Sequence, residues 1–213
     1  MQKGYFISVE GIEGVGKSTI VSFIATELKN NHLDFILTRE PGGTKIAEMI
    51  RHILLHHEGE YLLPEAELLL IFAARAQHIH HVIQPALTAG KFVICDRFVD
   101  ASFAYQGGGR QIANAHLTYL SKWIVGSHQP DLTLLLDAPV EIGLERLKAR
   151  GKKDRIEQEN IEFFKRVRMA YLARQEAEPN RFQMIDANQS IEMVTAQIQN
   201  ILRACFRTRY RKK

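Results

Sequence analysis

The chain has 213 residues, 46% of them hydrophobic, and a formal charge of +4. That length suits one domain with a sizeable core, and no stretch approaches the ~20 apolar residues of a membrane-spanning helix. No basic stretch followed by an apolar one precedes the first strand, and Cys95 and Cys205 fit neither a disulfide framework nor a metal spacing; the expectation is a cytoplasmic protein in a reducing setting, with no membrane partner.

In chain order, Tyr5-Phe6-Ile7-Ser8-Val9 is an apolar, β-rich run and predicts the first strand. It leads into Gly11-Ile12-Glu13-Gly14-Val15-Gly16-Lys17-Ser18, followed by Thr19, which satisfies the phosphate-loop pattern G-x-x-x-x-G-K-[ST]. Small residues let successive backbone N–H groups curl around a phosphate, Lys17 reaches the outer phosphates, and the Ser18 hydroxyl is placed to ligand Mg²⁺. Residues 19–29 have helical spacing, so the phosphates rest on a helix N-terminus, where free N–H groups and the dipole favour anions. The expected ligand is a nucleoside triphosphate. Glu13 is out of place among phosphate-cradling amides, because a like charge about 4 Å away costs on the order of 4 kcal/mol at an effective dielectric near 20. Its carboxylate is expected to turn towards a hydroxyl or a cation.

Strands are then predicted at 35–38, 92–95, 132–136 and 182–185. Helices are predicted at 44–56, 64–88, 114–125, 140–148, 159–178 and from 190 onward, with Pro64 at a first turn and Gly90 as a stop. Alternation of strand and helix predicts an α/β fold: a five-stranded, mostly parallel sheet with helices on both faces, of the P-loop NTPase type. The organisation expected is a single domain over residues 1–202, a short lid at about 150–156, and a basic tail at 203–213. That tail carries six positive charges (Arg203, Arg207, Arg209, Arg211, Lys212 and Lys213) and no acid, so the first 202 residues have a net charge of −2. It reads as a frayed, solvated terminus rather than a nucleic-acid site.

In open parallel sheets, ligands bind beyond the carboxyl ends of the strands. Strand two delivers Arg39-Glu40-Pro41-Gly42-Gly43-Thr44, strand three Asp96-Arg97-Phe98 and strand four Asp137. Asp96 could hold Mg²⁺ or its water shell, and Arg97 offers a rigid, permanently charged fork suited to phosphate.

Together these residues resemble the bacterial thymidylate kinases over nearly the whole chain, from Phe6 to about Leu202. The resemblance rests on Gly11 to Ser18 with its internal Glu13, on Thr38-Arg39-Glu40-Pro41-Gly42-Gly43-Thr44, on Phe72-Ala73-Ala74-Arg75, on Asp96-Arg97-Phe98 leading into Ala104-Tyr105-Gln106-Gly107-Gly108-Gly109-Arg110, and on Asp154-Arg155-Ile156-Glu157. It implies ATP phosphates on Lys17 and the loop amides, with Mg²⁺ near Ser18 and Asp96. It implies the 5′-phosphate of thymidine monophosphate (dTMP) on Arg97 and Arg51, the polar edge of thymine on Arg75 and Gln106, and Ser102 close by. Glu13 and Glu40 would lie near the sugar and acceptor phosphate, and Tyr105 would crowd the 2′ position. Some members of the family place an arginine inside the phosphate loop. This chain has none there, which points to the lid residues Arg150 and Arg155 as the cations for charge on the transferred phosphoryl group. Two positions depart from the family pattern: Ile71 stands where an aromatic usually stacks on thymine, so that the neighbouring aromatic, Phe72, is expected among the residues that bind dTMP, and Ala101 stands where a serine is expected, with Ser102 following. A homodimer is also implied.

His52, His56 and His57 on one predicted helix, and His78, His80 and His81 on the next, are read as surface or interface histidines; no H-E-x-x-H pattern is present. Two rival readings are a kinase for another nucleoside monophosphate and a P-loop ATPase that binds nucleic acid through the tail. No Asn-Lys-x-Asp motif supports a GTPase.

Overall fold

A computed structural model describes residues 3–56, 59–148 and 154–210, side chains of 207–210 excepted. Arg150, most of the expected lid and His57 therefore lie outside the described residues. The strands are β1 (Tyr5–Glu10), β2 (Phe35–Arg39), β3 (Phe92–Asp96), β4 (Leu132–Asp137) and β5 (Phe182–Asp186). They form one sheet in the order β2-β3-β1-β4-β5, every neighbouring pair parallel. β1, β3 and β4 occupy the middle and read as almost unbroken buried runs, whereas the edge strands β2 and β5 are partly exposed, as expected when helices cover both faces.

The period of two along each strand divides the core. Ile7, Val9 and Ile94 pack with Ile20, Ile24 and Leu28 of α1 (Lys17–Asn30) on one face, while Phe6, Val93 and Cys95 pack with Leu68, Phe72 and Ile83 on the other. The second face is covered by α3 (Pro64–His78), which continues through a π-helical turn at Ile79–Ile83 into α4 (Gln84–Thr88), and α2 (Lys45–His56) packs against α3. The single helix expected at 64–88 is thus continuous but not uniform. Pro85 has no N–H to return to the preceding turn, and the ladder widens just before it.

Two further features depart from the sequence reading. Residues after Phe98, where no element is predicted, form α5 (Val99–Ser102) and a π-helical segment, Phe103–Gly109, although three successive glycines disfavour a helix. The glycines serve close packing instead: a Cβ on Gly108 would lie 2.6 Å from Ala170 Cβ, and one on Gly109 2.5 Å from the Phe163 ring. Both partners belong to α8 (Ile161–Ala177), which follows α6 (Asn114–Leu120), its π-helical extension Ser121–Val125, and α7 (Val140–Lys148). The last helix, α9, runs Ile191–Tyr210, so the boundary drawn by charge at residue 202 falls inside it. Phe206 is 9% exposed and sets its ring edge-on to Phe92 at 5.7 Å, and the Tyr5 hydroxyl donates to Cys205 Sγ. The frayed tail is corrected to this extent: residues 203–206 are helical, with apolar side chains on the core side.

Candidate active site

The carboxyl ends of β1, β2 and β3 open into a cavity of about 540 Å³, lined at one end by the phosphate loop and at the other by α2, α3 and the segment 103–109. The loop follows β1 because Gly14 and Gly16 take positive φ (73° and 92°). Gly14 also lies against α7, where a Cβ would come within 1.9 Å of Gly143 O. Ile12 and Val15 point into the core and Gly11 lies behind the loop, so the surface facing the cavity is made by Glu13, Gly14, Gly16, Lys17, Ser18 and Thr19.

No side chain caps α1, leaving its first amides to a ligand. Lys17 Nζ spends one of its three donors on Ile12 O, at 2.6 Å. Burial, reinforced by the Arg97 charge, lowers the Lys17 pKa to about 8. Asp96 Oδ1 is buried and accepts no hydrogen bond among the described residues. A carboxylate oxygen without a partner, in the same cavity as the Ser18 hydroxyl, fits a hard cation or its water shell.

Glu13 does turn to a cation and a hydroxyl. Its Oε1 accepts from Arg97 Nη2 at 2.9 Å, and both carboxylate oxygens lie within 2.8 Å of the Tyr105 hydroxyl. Arg97 has φ 67°, which a side chain rarely adopts, and is held there by hydrogen bonds from Nη1 to Gly11 O and Tyr171 OH. Behind it stands Glu10, fully buried, accepting from Phe98 N and the Tyr171 hydroxyl. Burial, then the neighbouring Asp100 charge, pushes the Glu10 pKa up to about 7.

At the far end, Arg75 is 1% exposed and gives Nε to Glu40, Nη1 to Ser102 and Nη2 to Phe98 O. Its guanidinium lies 4.6 Å from the centroid of the Phe72 ring. Phe72 is therefore a support beneath Arg75 and is not part of the cavity wall; Ile71 is. This corrects the placement of Phe72 against a base: the helix turns its ring into the core and the aliphatic neighbour outward. Arg51 lines the cavity and donates to Pro41 O; Ser102, Tyr105 and Gln106 line it too.

Arg155 lies in the cavity wall, at the end formed by α2 and α3. Its backbone N–H and Nε bind the carbonyls of Leu55 and Leu54, and Nη2 binds Glu67. In this state it does not cover the phosphate loop. Asp137 is outside the cavity, in a two-point pair with Arg168.

Three polar groups escaped the sequence reading. Glu67 is 1% exposed and binds Gln106, Arg110 and Arg155. Arg146, one turn along α7 from Gly143, lines the cavity. His78, read as a surface histidine, is fully buried between Thr38 Oγ1 (2.6 Å) and Glu40 Oε1 (2.9 Å). An acid at i and an arginine at i+8 on one helix, Glu67 and Arg75, was the available signal for the first. No group of three or more His, Cys, Asp or Glu side chains that could hold a metal occurs among the described residues.

Residues 9–198 match a family model described as thymidylate kinase. Curated relatives include a thymidylate kinase of Pseudomonas putida, 50% identical over 93% of this chain and 95% of its own length. Another, from Vesicomyosocius okutanii, is 48% identical over 96% of this chain and all of its own. The crystal structure of thymidylate kinase from Ehrlichia chaffeensis superposes with a TM-score of 0.77 at 31% identity, covering 94% of this chain and 99% of that one.

Proposed function

The chain belongs to the thymidylate kinase family, and on that premise we propose that it transfers the γ-phosphoryl group of Mg·ATP to dTMP, yielding ADP and dTDP for dTTP synthesis. The observation that carries the reading is the single cavity joining a phosphate loop, at Lys17, to a buried donor and amide, Arg75 and Gln106, with Arg97 between them.

In this reading Gly14, Gly16, Lys17 and the first amides of α1 hold the ATP phosphates. Ser18 and Asp96 would hold Mg²⁺, which supplies neutralisation of phosphate charge. Arg97, turned inward by its backbone, meets the acceptor phosphate together with Arg51. Glu13 and Tyr105 keep Arg97 in place, and the Tyr105 ring limits space beside the sugar. Arg75 and Gln106 meet the base, with Glu40 and Ser102 fixing Arg75. An acceptor phosphate is already nucleophilic at neutral pH, so no general base is required; alignment and charge neutralisation carry the reaction. Arg150 and Arg155 are the proposed cations for the charge developing on the transferred group, and Arg155 must exchange Glu67 for phosphate to act there.

A homodimer belongs to the same proposal. Ile46, Met49 and Ile53 are exposed along one stripe of α2, Leu69 on α3, and Tyr119 and Trp123 stand beside each other on and after α6; exposed apolar side chains on adjacent helices suit a twofold interface. Among the described residues no helix is long and apolar enough to cross a membrane, and the proposed location is the cytoplasm.

The test is a coupled ADP-release assay across dTMP, dUMP, dGMP, UMP and CMP, with and without DNA. Turnover greatest with dTMP is expected. ATP hydrolysis stimulated by DNA in the absence of any monophosphate would replace the reading.

A further inference from the structure

Glu67 is a buried acid in the first turn of α3 whose two carboxylate oxygens have different partners. Oε1 accepts from Gln106 Nε2 at 2.7 Å, Oε2 binds Arg155 Nη2, and Arg110 Nε lies 3.3 Å from both. Burial opposes its ionisation, but Arg110 foremost, then the hydrogen bonds from Gln106 and Arg155, hold its carboxyl below the usual carboxylate range. An ionised carboxylate has no hydrogen to give, so only the NH₂ half of the Gln106 amide can face it. The other half, Oε1, accepts no hydrogen bond among the described residues, and the Gln106 side chain lines the cavity. Left alone, a glutamine amide can turn over and offer either a donor or an acceptor. Across the cavity Arg75 can only donate, and its orientation is fixed by Glu40, Ser102 and Phe98 O.

We propose that Glu67 is a positioning residue for base selectivity: by holding the NH₂ of Gln106 it presents Oε1 as an acceptor, so the site takes a pyrimidine with a 4-keto group and an N3–H and rejects a 4-amino pyrimidine. The 4-amino ring would set a lone pair at N3 against Gln106 Oε1 and a donor against Arg75. A site built to hydrogen-bond its substrate discriminates strongly against a ligand that leaves buried groups unpaired. The inference rests on the reading that Arg75 and Gln106 meet the base, and goes beyond it in naming what fixes the amide.

The test uses the full chain and the kcat/KM values for dTMP and dCMP. Glu67→Gln keeps the shape but can donate as well as accept, which frees the Gln106 amide to turn. A fall of roughly tenfold or more in the dTMP:dCMP ratio is expected, carried by KM for dTMP more than by kcat. Gln106→Leu is run alongside. If it leaves the ratio unchanged, the placement of Gln106 at the base is wrong. If it collapses the ratio while Glu67→Gln does not, the role of Glu67 is overturned. Should Glu67→Gln fail to fold because Arg110 and Arg155 lose the carboxylate they share, Glu67→Gln combined with Arg110→Gln lowers the uncompensated charge, Arg110 being otherwise paired only with Glu159 among the described residues, and a wild-type ratio in that folded variant overturns the inference equally.

Discussion

Arg97 Nη2 and Glu13 Oε1 lie 2.9 Å apart, joining the end of β3 to the interior of the phosphate loop. Both side chains are largely shielded from solvent, and the Tyr105 ring lies 4.7 Å from the guanidinium carbon. The pair explains how an acid tolerates a phosphate loop: its charge is neutralised sideways, by the cation proposed to meet the acceptor phosphate.

If Glu13 acts through Arg97, as this contact suggests, Glu13→Gln should loosen the arginine without removing any proposed phosphate ligand. We expect kcat/KM for dTMP to fall about tenfold to a hundredfold, with Arg97→Ala falling further. The double variant should lose much less than the product of the two, since contacting residues typically couple by ~0.5–3 kcal/mol. Multiplicative losses would show that Glu13 contacts substrate independently.

Lys17 should trade stability for activity. Its folded pKa of about 8 lies below its ordinary 10.5, so between those values the unfolded chain holds more protons and stability rises with pH. At neutral pH the buried charge thus opposes folding, by something on the order of 3 kcal/mol. Lys17→Met should raise the melting temperature near pH 7 and narrow its gain as pH approaches 10, while turnover drops ~10²-fold or more. ATP affinity, followed by calorimetry, should weaken as pH rises above about 8, because the triphosphate needs the protonated form. A melting temperature lowered by Lys17→Met at pH 7 would contradict the buried-charge account.

Arg155 is held on Glu67 and the Leu54 carbonyl, yet its proposed task lies at the transferred phosphoryl group. If it moves there late, Arg155→Ala should lower kcat more than it raises KM for dTMP, as should Arg150→Ala. A change confined to that KM would make Arg155 a residue of the acceptor end alone.

The exposed stripe of Ile46, Met49 and Ile53 should be buried in solution. Light scattering at micromolar concentration is expected to report twice the chain mass of 24.3 kDa, and Ile53→Asp should bring it back to one. A wild-type chain already at the single mass would remove the dimer from the proposal.

Much of the fold was legible because it rests on local signals. The strands are runs of β-branched and aromatic residues, the phosphate loop is a contiguous motif, and strand ends in a parallel sheet announce where a ligand sits. Lys17, Asp96 and Arg97 were found for that reason and Gln106 through the family resemblance, and all four line the cavity. What was not legible depends on partners distant in sequence. His78 looks like its neighbours His80 and His81 until Glu40 and Thr38, roughly forty residues away, close around it. Phe72 and Ile71 exchange roles because the sequence does not say which way α3 is rotated. The helical segment ending at Gly107 to Gly109 was not predicted, because consecutive glycines disfavour a helix and their purpose, contact with α8, is tertiary.

The C-terminal segment shows the same limit and gives a test that separates charge from packing. Arg203, Arg207 and the basic residues after them suggested a solvated terminus, but Leu202 is fully buried and Phe206 nearly so, on a helix that continues to Tyr210. Truncation after Leu202 removes Phe206 from its place against Phe92, and emptying a buried Phe site typically costs ~3–5 kcal/mol. The melting temperature should fall by several degrees at the least. Truncation after Phe206 leaves that contact and deletes only residues 207–213, so the melting temperature and the kinetic constants should stay close to wild type, the latter within about twofold. Any basic contribution to DNA binding would be lost in the first and, with only Arg203 of the six basic residues left, largely lost in the second. Equal loss of stability in the two truncations would mean that the last seven residues, not the Phe206 ring, secure the end of α9; loss of kinase activity without loss of stability after the longer deletion would place this segment in the catalytic machinery.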